Sequence, residues 1–489
     1  MRAQLLSTVK TVAKVLGIVL IVLLAFRVYK SQTGPALHPW HTWTAPEMST
    51  REIDRATFAD YLRQERIIFQ ALQHEVVDKV KGDEQTPLNR YYRHSLVWPG
   101  QFTPDGNRSL VLIPQGAPRG AVVLLHGLTD SPYSVQRLAA DYQRRGFVAV
   151  APRLPGHGTA PGALSDVDWE QWMAVTRLAV REARRLSGEE VPLHLVGYSN
   201  GGALAMKYAL DSLEDNTLAK PRQLILISPM IGVSAFARFA GLAGLPALLP
   251  PFAKAAWLNV QPEYNPFKYN SFPVNGARQT WQLTQTLQQQ IRREAGKKKL
   301  AALPPVLAFQ SVMDSTVSTR AVVEMLFNQL PANGSELVIF DINQAASLRS
   351  LLRPTAYVSV NALLPPPPRR YTTTVVTNAS AKTRDTVART LPAGAEKEQV
   401  TPLTTPYPAD IYSLSHVSLP FPPDDDLYGT RPVDPQRFGI NLGNVALRGE
   451  TGVLIVGMDA IMRLTANPFY DYMAQRIAQT APSTPAPAH

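Results

Sequence analysis

A serine flanked by glycines is the clearest candidate for a nucleophile in this chain. Residues 197–201 read Gly-Tyr-Ser-Asn-Gly and lie between an apolar strand pattern at residues 193–196 and a helix start rich in small residues. A sharp strand-to-helix turn of this kind leaves the central serine hydroxyl exposed, because the flanking glycines have no side chain that could clash. We therefore expect Ser199 to be the nucleophile. The chain contains no cysteine, so a thiol cannot take this role.

A serine nucleophile needs an oxyanion hole built from two backbone N–H groups. One comes from the residue after the serine, here Asn200, and the other from a loop that follows an earlier strand. The apolar segment 121–125 runs into His126-Gly127-Leu128, so we expect Leu128 to supply the second N–H group. We interpret His126 as a buried histidine that orients this loop.

The general base is expected after the serine, in the chain order serine, acid, histidine. Only His416 and His489 lie beyond the strand that ends near Asp314, and His489 ends a Pro/Ala-rich tail. His416 is therefore the base by elimination. Asp314 and Asp341 each follow a strand pattern, and we prefer Asp314 because a polar turn follows it, where a carboxylate can meet an imidazole from a later loop.

These residues need a scaffold, and the pattern of apolar segments indicates an α/β protein. From about residue 90, short apolar segments alternate with amphipathic helices, which specifies a mostly parallel central sheet with helices on both faces. Residues 230–300 interrupt this alternation with an apolar Gly/Ala/Pro-rich stretch and a Gln-rich helix. Residues 355–410, rich in Pro and Thr, are predicted to be an irregular insertion, and residues 481–489 a disordered tail.

The N-terminal segment is predicted to anchor the protein in a membrane. Residues 15–26 are uncharged and apolar, with basic residues on both sides. No small-x-small cleavage sequence follows, since Arg27-Val28-Tyr29 is bulky and charged. We expect residues 1–30 to be an uncleaved signal anchor that crosses the membrane once, with a cleaved signal peptide as the alternative. The basic residues before the apolar segment favour a cytoplasmic N-terminus and export of the rest of the chain, to the periplasm or elsewhere outside the cytoplasm.

Residues 31–89 are predicted to be a juxtamembrane linker followed by a helix. The helix opens with a capping box at Ser49 and Glu52. Its face that packs on the domain is predicted to consist of Phe58, Leu62, Phe69, Leu72 and Val76. The linker carries His38 and His41 at a spacing of three, but no acidic residue or third imidazole is near, so we do not expect a metal site. No motif for a cofactor is present. The net charge is +11, yet no stripe of basic residues interleaved with aromatic residues appears, which argues against nucleic-acid binding.

These motifs together resemble the α/β-hydrolase superfamily, in particular its carboxylesterases, monoacylglycerol lipases and serine-aminopeptidase-like hydrolases. The resemblance covers roughly residues 90–350 plus the His416 loop. Its motifs are HGLTDSP at 126–132, PRLPGHG at 152–158, the pair Trp169 and Trp172, the serine turn at 197–201, and QSVMDSTV at 310–317.

The resemblance implies an α/β-hydrolase fold over residues 90–480. It also implies a catalytic triad of Ser199, Asp314 and His416, and a lid at residues 230–300 between the sixth and seventh strands. The lid segment is rich in apolar residues, which we expect to recognise acyl chains. They are Phe236, Phe239, Leu242, Leu245, Leu248 and Leu249. The alternative is that they only pack the lid onto the core.

The leading interpretation is a membrane-anchored serine hydrolase that cleaves carboxylic esters, lipid acyl esters among them. A peptidase or an acyltransferase could use the same triad, because the nucleophile motif does not fix the leaving group. A third alternative is a binding protein that keeps the fold without turnover. The intact serine, aspartate and histidine set argues against that alternative.

Overall fold

The computed structural model describes residues 2–232, 245–248, 250–345, 360–445 and 457–481. Within this part of the chain, ten strands form one central sheet in the order β1-β3-β2-β4-β5-β8-β9-β10-β11-β12, and β6 and β7 form a separate hairpin. The strands are β1 Leu110–Leu112, β2 Gly120–Leu125, β3 Phe147–Ala151, β4 Leu193–Tyr198, β5 Gln223–Ile227, β6 Trp257–Asn259, β7 Phe272–Pro273, β8 Val306–Ser311, β9 Glu336–Phe340, β10 Thr372–Asn378, β11 Thr386–Leu391 and β12 Gln399–Leu403.

Twelve described helices surround the sheet or precede it. They are α1 Arg2–Gln32, α2 Pro39–Thr42, α3 Thr50–Arg55, α4 Phe58–Glu75, α5 Tyr133–Arg144, α6 Trp169–Ser187, α7 Asn200–Glu214, α8 Val274–Gly296, α9 Thr319–Met325, α10 Val360–Leu363, α11 Met458–Ile461 and α12 Tyr470–Ala478. Short 3₁₀ turns connect several of them.

The middle of the sheet is parallel, and both of its faces are covered. Neighbouring strands from β3 across to β10 pair in parallel, whereas β1, β11 and β12 pair antiparallel with their neighbours. Because successive strand residues face opposite sides, Val123 packs in the core with Trp172 of α6, and Val122 packs in the core with Leu138 of α5. The prediction of a mostly parallel sheet with helices on both faces is confirmed.

The prediction of an irregular insertion at residues 355–410 is wrong for residues 372–403. They form β10, β11 and β12, and β10 extends the central sheet by pairing in parallel with β9. The composition misleads because Thr is common in loops, yet Thr is β-branched and fits a pleated, half-buried surface. Val376 and Leu391 of these strands are buried.

The predicted N-terminal linker and helix differ from the structure in two ways. The helix is split into α3 and α4, because Thr57 caps a new helix by accepting a hydrogen bond from the N–H group of Asp60. The segment before α3 also packs onto the α/β domain. Both carboxylate oxygens of Glu47 accept hydrogen bonds from the fully buried guanidinium of Arg153, at 2.7 and 2.9 Å, and Trp40 is buried against Tyr91.

The buried face of α4 is also rotated from the predicted one. Its buried residues are Phe58, Tyr61, Glu65 and Ile68, whereas Leu62, Phe69 and Leu72 of the predicted face are only half-buried. The cause lies in Glu65, whose carboxylate lies 3.6 Å from Nε of Arg153. A buried guanidinium requires countercharges, and this requirement turns a glutamate towards the core.

The segment predicted to be a lid is described in part. Residues 250–300 contain the β6–β7 hairpin and α8. Phe236, Phe239, Leu242 and Leu249 lie outside the described residues, and so do the side chains of Leu245 and Leu248 and the tail from residue 482 onwards. The lid therefore stays a prediction.

Candidate active site

Ser199 sits on a strained turn between β4 and α7. Its φ angle is +55°, in the left-handed region that few residues other than glycine adopt. The turn depends on its glycines. A Cβ atom at Gly201 would lie 2.1 Å from the carbonyl oxygen of Leu125, and one at Gly197 would lie 2.2 Å from the carbonyl oxygen of Gly201. Strained backbone of this kind clusters at functional sites, where it aims a side chain.

His416 and Asp314 form a buried, hydrogen-bonded pair. Nδ1 of His416 lies 2.8 Å from Oδ2 of Asp314, and the two side chains are 4% and 0% exposed. Asp314 follows β8 at the carboxyl edge of the sheet, the edge that also carries Ser199, while His416 begins a short 3₁₀ turn at His416–Ser418. The structure thus brings together an acid and a base that are 102 residues apart.

Four donors hold the carboxylate of Asp314. Oδ1 accepts from the N–H groups of Thr316 and Val317 at 2.8 and 2.9 Å, and Oδ2 accepts from Nε2 of Gln310 at 3.1 Å as well as bonding His416. Burial alone would raise the pKa of Asp314, but His416 and the two N–H groups outweigh it and lower the pKa below its usual value. Asp314 is therefore a stable carboxylate that can orient the imidazole.

Asp341, the rival acid, lies elsewhere. Its Oδ2 accepts a hydrogen bond from Thr377 of β10 at 3.0 Å, and burial raises its pKa. Asp341 is thus bonded to a strand residue, whereas His416 is hydrogen-bonded to Asp314.

Leu128 and Asn200 are the two residues predicted to form the oxyanion hole. Leu128 lines the same cavity as Ser199, and Asn200 is the first residue of α7. Neither backbone N–H group has a hydrogen-bond acceptor among the described residues. Both are thus available to a ligand oxygen.

Buried histidines beside the site have structural roles. His126 is fully buried, and its Nε2 accepts a hydrogen bond from the N–H group of Leu154 at 3.1 Å. Burial lowers the pKa of His126 well below its usual value, with a further contribution from His157. A neutral imidazole can accept that bond, which ties the Leu128 loop to the neighbouring motif. The interpretation of His126 as an orienting residue fits these contacts.

A cavity of about 420 Å³ joins the candidate catalytic groups. Its wall is mostly apolar, with a few polar groups, which is typical of small-molecule sites. The lining includes Leu128, Ser199, His416, Met230, Phe272, Val417 and Leu464.

Three contributors to this site carry no signal in the sequence. The hydroxyl of Tyr198 donates a hydrogen bond to the carbonyl oxygen of His416 at 3.3 Å, and the cations Lys268 and Arg463 line the cavity. Tyr198 occupies the variable position of the serine turn, and the two cations come from distant segments. Within the described part of the chain, no group of three or more His, Asp or Glu side chains is placed to hold a metal ion.

Comparison with known sequences finds similarity to a family model and to a curated relative. Residues 116–342, a little under half of the chain, match the family model described as serine aminopeptidase, S33. A thermostable monoacylglycerol lipase of Bacillus sp. (strain H-257) is 33% identical over 89 residues. That match covers 18% of this chain and spans only about a third, 34%, of the relative.

Several solved structures are similar to the chain at low identity. A structure from work on the metagenome-derived lipolytic enzymes LipS and LipT is 22% identical, with a TM-score of 0.40, and covers 53% of this chain and 97% of its own. A soluble variant of monoglyceride lipase from Saccharomyces cerevisiae is 16% identical, with a TM-score of 0.36, and the match covers 47% of this chain and 81% of the lipase. The match to the serine aminopeptidase family model and the similarity to the monoacylglycerol lipase confirm the resemblance to the α/β-hydrolase superfamily that the sequence motifs indicate. The chain carries the α/β-hydrolase fold with its mostly parallel central sheet.

Proposed function

We propose that this protein is a membrane-anchored serine hydrolase that cleaves carboxylic esters, lipid acyl esters among them. One observation carries the proposal. Ser199, on a strained turn, lines the same cavity as His416, whose Nδ1 is 2.8 Å from the carboxylate of Asp314. A nucleophile, a base and an orienting acid in this relation serve acyl transfer on unrelated folds.

The reaction follows from these roles. Oγ of Ser199 attacks the ester carbonyl carbon while Nε2 of His416 accepts the hydroxyl proton, and Asp314 stabilises the imidazolium. The N–H groups of Leu128 and Asn200 bind the oxyanion of the tetrahedral intermediate. His416 then gives its proton to the departing alcohol, which leaves an acyl-enzyme. Water, deprotonated by His416, attacks the acyl carbonyl and releases the carboxylic acid and the free serine.

A lipid substrate is supported by the character of the cavity wall. Leu128, Met230, Phe272, Val417 and Leu464 give it a mostly apolar surface. Each buried methylene of an acyl chain contributes about 0.8 kcal/mol, which is a factor near four in binding. The similarity to a protein named as a monoacylglycerol lipase points to the same substrate class.

Membrane anchoring is supported by α1. The helical segment Lys10–Gln32 is long and apolar enough to cross a membrane. None of the side chains in its most apolar 18-residue stretch is buried by the rest of the protein. The end of α1 contacts the predicted lid, because Arg27 donates hydrogen bonds to the carbonyl oxygens of Ala255 and Trp257, and Nζ of Lys254 donates to the carbonyl oxygen of Gly34 at 3.0 Å. We propose a single-pass anchor with the hydrolase domain exported and the lid close to the bilayer.

A peptidase is the second candidate, since the matching family model is described as a serine aminopeptidase. An aminopeptidase must bind the free α-ammonium group of its substrate, for which a carboxylate is the complementary partner. Among the described residues, the cavity is lined by Lys268 and Arg463 and by no Asp or Glu. This charge distribution disfavours a substrate ammonium.

The test is a substrate panel with the purified full-length protein and its Ser199→Ala variant as control. The panel holds p-nitrophenyl esters from acetate to decanoate, a monoacylglycerol and aminoacyl anilides. We expect kcat/KM to rise from acetate to about octanoate, by up to a factor near four per methylene, and the anilides to be inert. Faster cleavage of anilides than of esters, abolished in Ser199→Ala, would favour the peptidase.

A further inference from the structure

The cavity beside Ser199 holds two cations and no anion. Lys268 and Arg463 both line it, and the described residues of its wall include no carboxylate. The acid Asp314 does not contribute, because its side chain is fully buried and its oxygens accept four hydrogen bonds. The lining side chains therefore present positive charge to a bound ligand, which the buried carboxylate of Asp130 near Lys268 offsets in part.

Arg463 is held next to the catalytic pair by two contacts. Its Nη2 donates a hydrogen bond to Oγ1 of Thr316 at 2.6 Å, and the N–H group of Thr316 in turn bonds Asp314. The carbonyl oxygen of Arg463 accepts a hydrogen bond from Ser415, the neighbour of His416, at 2.5 Å. The remaining guanidinium N–H groups have no acceptor among the described residues. Arginine offers five donors in a fixed fork, which matches carboxylate and phosphate oxygens.

Lys268 approaches from another wall of the cavity, on the segment between β6 and β7. It is half-buried, and its ammonium group has no hydrogen bond or ion pair with a described residue. Burial lowers the pKa of Lys268, the carboxylate of Asp130 opposes this, and Arg463 adds repulsion. Two cations that repel each other across a cavity bind an anion favourably, because the anion relieves the repulsion and satisfies unused donors.

We propose that Lys268 and Arg463 bind a negatively charged group of the substrate, a phosphate or a carboxylate, within the cavity that holds the scissile ester. The inference rests on the proposed function and names its substrate class as anionic amphiphilic esters. The apolar wall then takes the acyl chain, and the cation pair takes the anionic group.

Two matched substrate pairs test the proposal with the full-length protein in nonionic detergent micelles. The phosphate pair is 1-oleoylglycerol and 1-oleoylglycerol 3-phosphate, with the anion on the leaving group. The carboxylate pair is p-nitrophenyl pentanoate and mono-p-nitrophenyl glutarate, with the anion on a five-carbon acyl group. We expect kcat/KM for the anionic member to exceed that for the neutral member by on the order of tenfold or more in one pair, since hydrogen bonds to charged groups are strong. The pair that responds identifies the source of the anion.

Substitution assigns the effect to the two cations. Lys268→Met and Arg463→Met should each lower the preference for the anionic ester by on the order of tenfold. Lys220→Met and Arg222→Met are matched controls, because both cations are exposed and lie before the amino end of β5, at the sheet edge opposite Ser199. These controls should keep the wild-type ratio. Inhibition of the wild-type protein by dodecyl phosphate but not by dodecanol would likewise indicate that the cavity prefers an anionic group.

The outcomes separate the two claims. Hydrolysis of neutral esters with no preference for the anionic member of either pair overturns the inference and leaves the proposed function standing. A preference that both Met variants retain overturns the assignment to Lys268 and Arg463. If no ester is hydrolysed and Ser199 is not labelled covalently by a fluorophosphonate probe, the proposed function itself is overturned.

Discussion

The carboxylate of Asp314 is the most firmly held group of the candidate triad. It is fully buried and accepts hydrogen bonds from Gln310, Thr316, Val317 and His416. An acid held in this way fixes the tautomer of the imidazole, so that Nε2 is free to accept a proton. The serine, by contrast, is held by backbone strain in its turn.

Replacing Asp314 tests its role against that of Asp341. Asp314→Asn should lower kcat by on the order of 10⁴-fold, because the imidazole loses its correct tautomer. Asp341→Asn serves as the matched control, since Asp341 bonds Thr377 and is not paired with His416. Steady-state ester hydrolysis by the two variants gives the comparison. Equal losses, or a larger loss in Asp341→Asn, would place the acid one strand further along the chain.

The lowered pKa of Asp314 also predicts how stability depends on pH. An aspartate has a pKa of about 3.9 in an unfolded chain, and its folded-state pKa lies below the usual value. The stability that this ionisation contributes is complete above about pH 4 and is lost as the pH falls through the folded-state pKa. The difference in unfolding free energy between wild type and Asp314→Asn should therefore shrink below about pH 4. Urea titrations at pH 3 to 7 measure it, and a difference that grows on acidification would contradict the assignment.

Among single residues of the site, the sequence predicts those that belong to a local motif or follow from chain order. Ser199 is recognised from the strand, turn and helix start around it, and Asp314 and His416 from their order after the serine. Lys268 and Arg463 belong to no such motif, because they come to line one cavity only after distant segments of the chain fold together. From sequence alone, a single lysine or arginine in a loop is interpreted as a solvated surface charge.

Among the elements, the segment before α3 couples the N-terminal region to the core of the domain. The guanidinium of Arg153 is fully buried, and it is paired with Glu47 from that segment and with Glu65 from α4. Such a cluster adds little stability over an apolar core but becomes costly when one partner is lost. The segment is therefore a structural part of the hydrolase domain.

Loss of this buried countercharge should destabilise the protein. Glu47→Gln is expected to cost roughly 3 to 5 kcal/mol of unfolding free energy, because it leaves Arg153 without its bidentate partner. The matched control is Asp54→Asn, which removes the partner of Arg177 in a pair whose side chains are 38% and 26% exposed. That change should cost at most about 1 kcal/mol. Equal costs in denaturant titrations of the two variants would show that Glu47 is not an essential countercharge.

The sequence predicts elements well where periodicity is strong and poorly where composition is ambiguous. The central strands are continuous apolar segments, which buried parallel strands require, so they are found. Strands β10 to β12 are rich in Thr and resemble a loop in composition, although β10 is mostly buried and only β12 is mostly exposed. Their place in the sheet depends on pairing with β9, which is a long-range interaction that no local pattern reports.

The whole molecule combines an apolar N-terminal helix with an α/β-hydrolase domain that buries the segment following this helix. Exposed apolar side chains cover α1, among them Leu16, Ile21 and Phe26. Exposure of this extent is unfavourable in water and favourable in a bilayer. The end of the helix touches the segment at residues 250–257, which belongs to the predicted lid.

Truncation tests the anchor and the packed segment together. The full-length protein should stay in the membrane pellet after an alkaline carbonate wash, whereas a chain beginning at Thr33 should be soluble and active. A chain beginning at Ser49 should be soluble but less stable, because it lacks Glu47 and Trp40. Release of the full-length protein by carbonate, or a mature N-terminus between residues 27 and 35 detected by mass spectrometry, would contradict the anchor.

The central claim is that Ser199 is a nucleophile activated by His416 and Asp314. The most direct measurement is labelling of the purified full-length protein with a fluorophosphonate probe, followed by peptide mass spectrometry to locate the adduct. The account predicts a single adduct on Ser199, no labelling of Ser199→Ala, and labelling of His416→Ala slowed by several orders of magnitude. Undiminished labelling of Ser199→Ala, or an adduct on another residue, would contradict it.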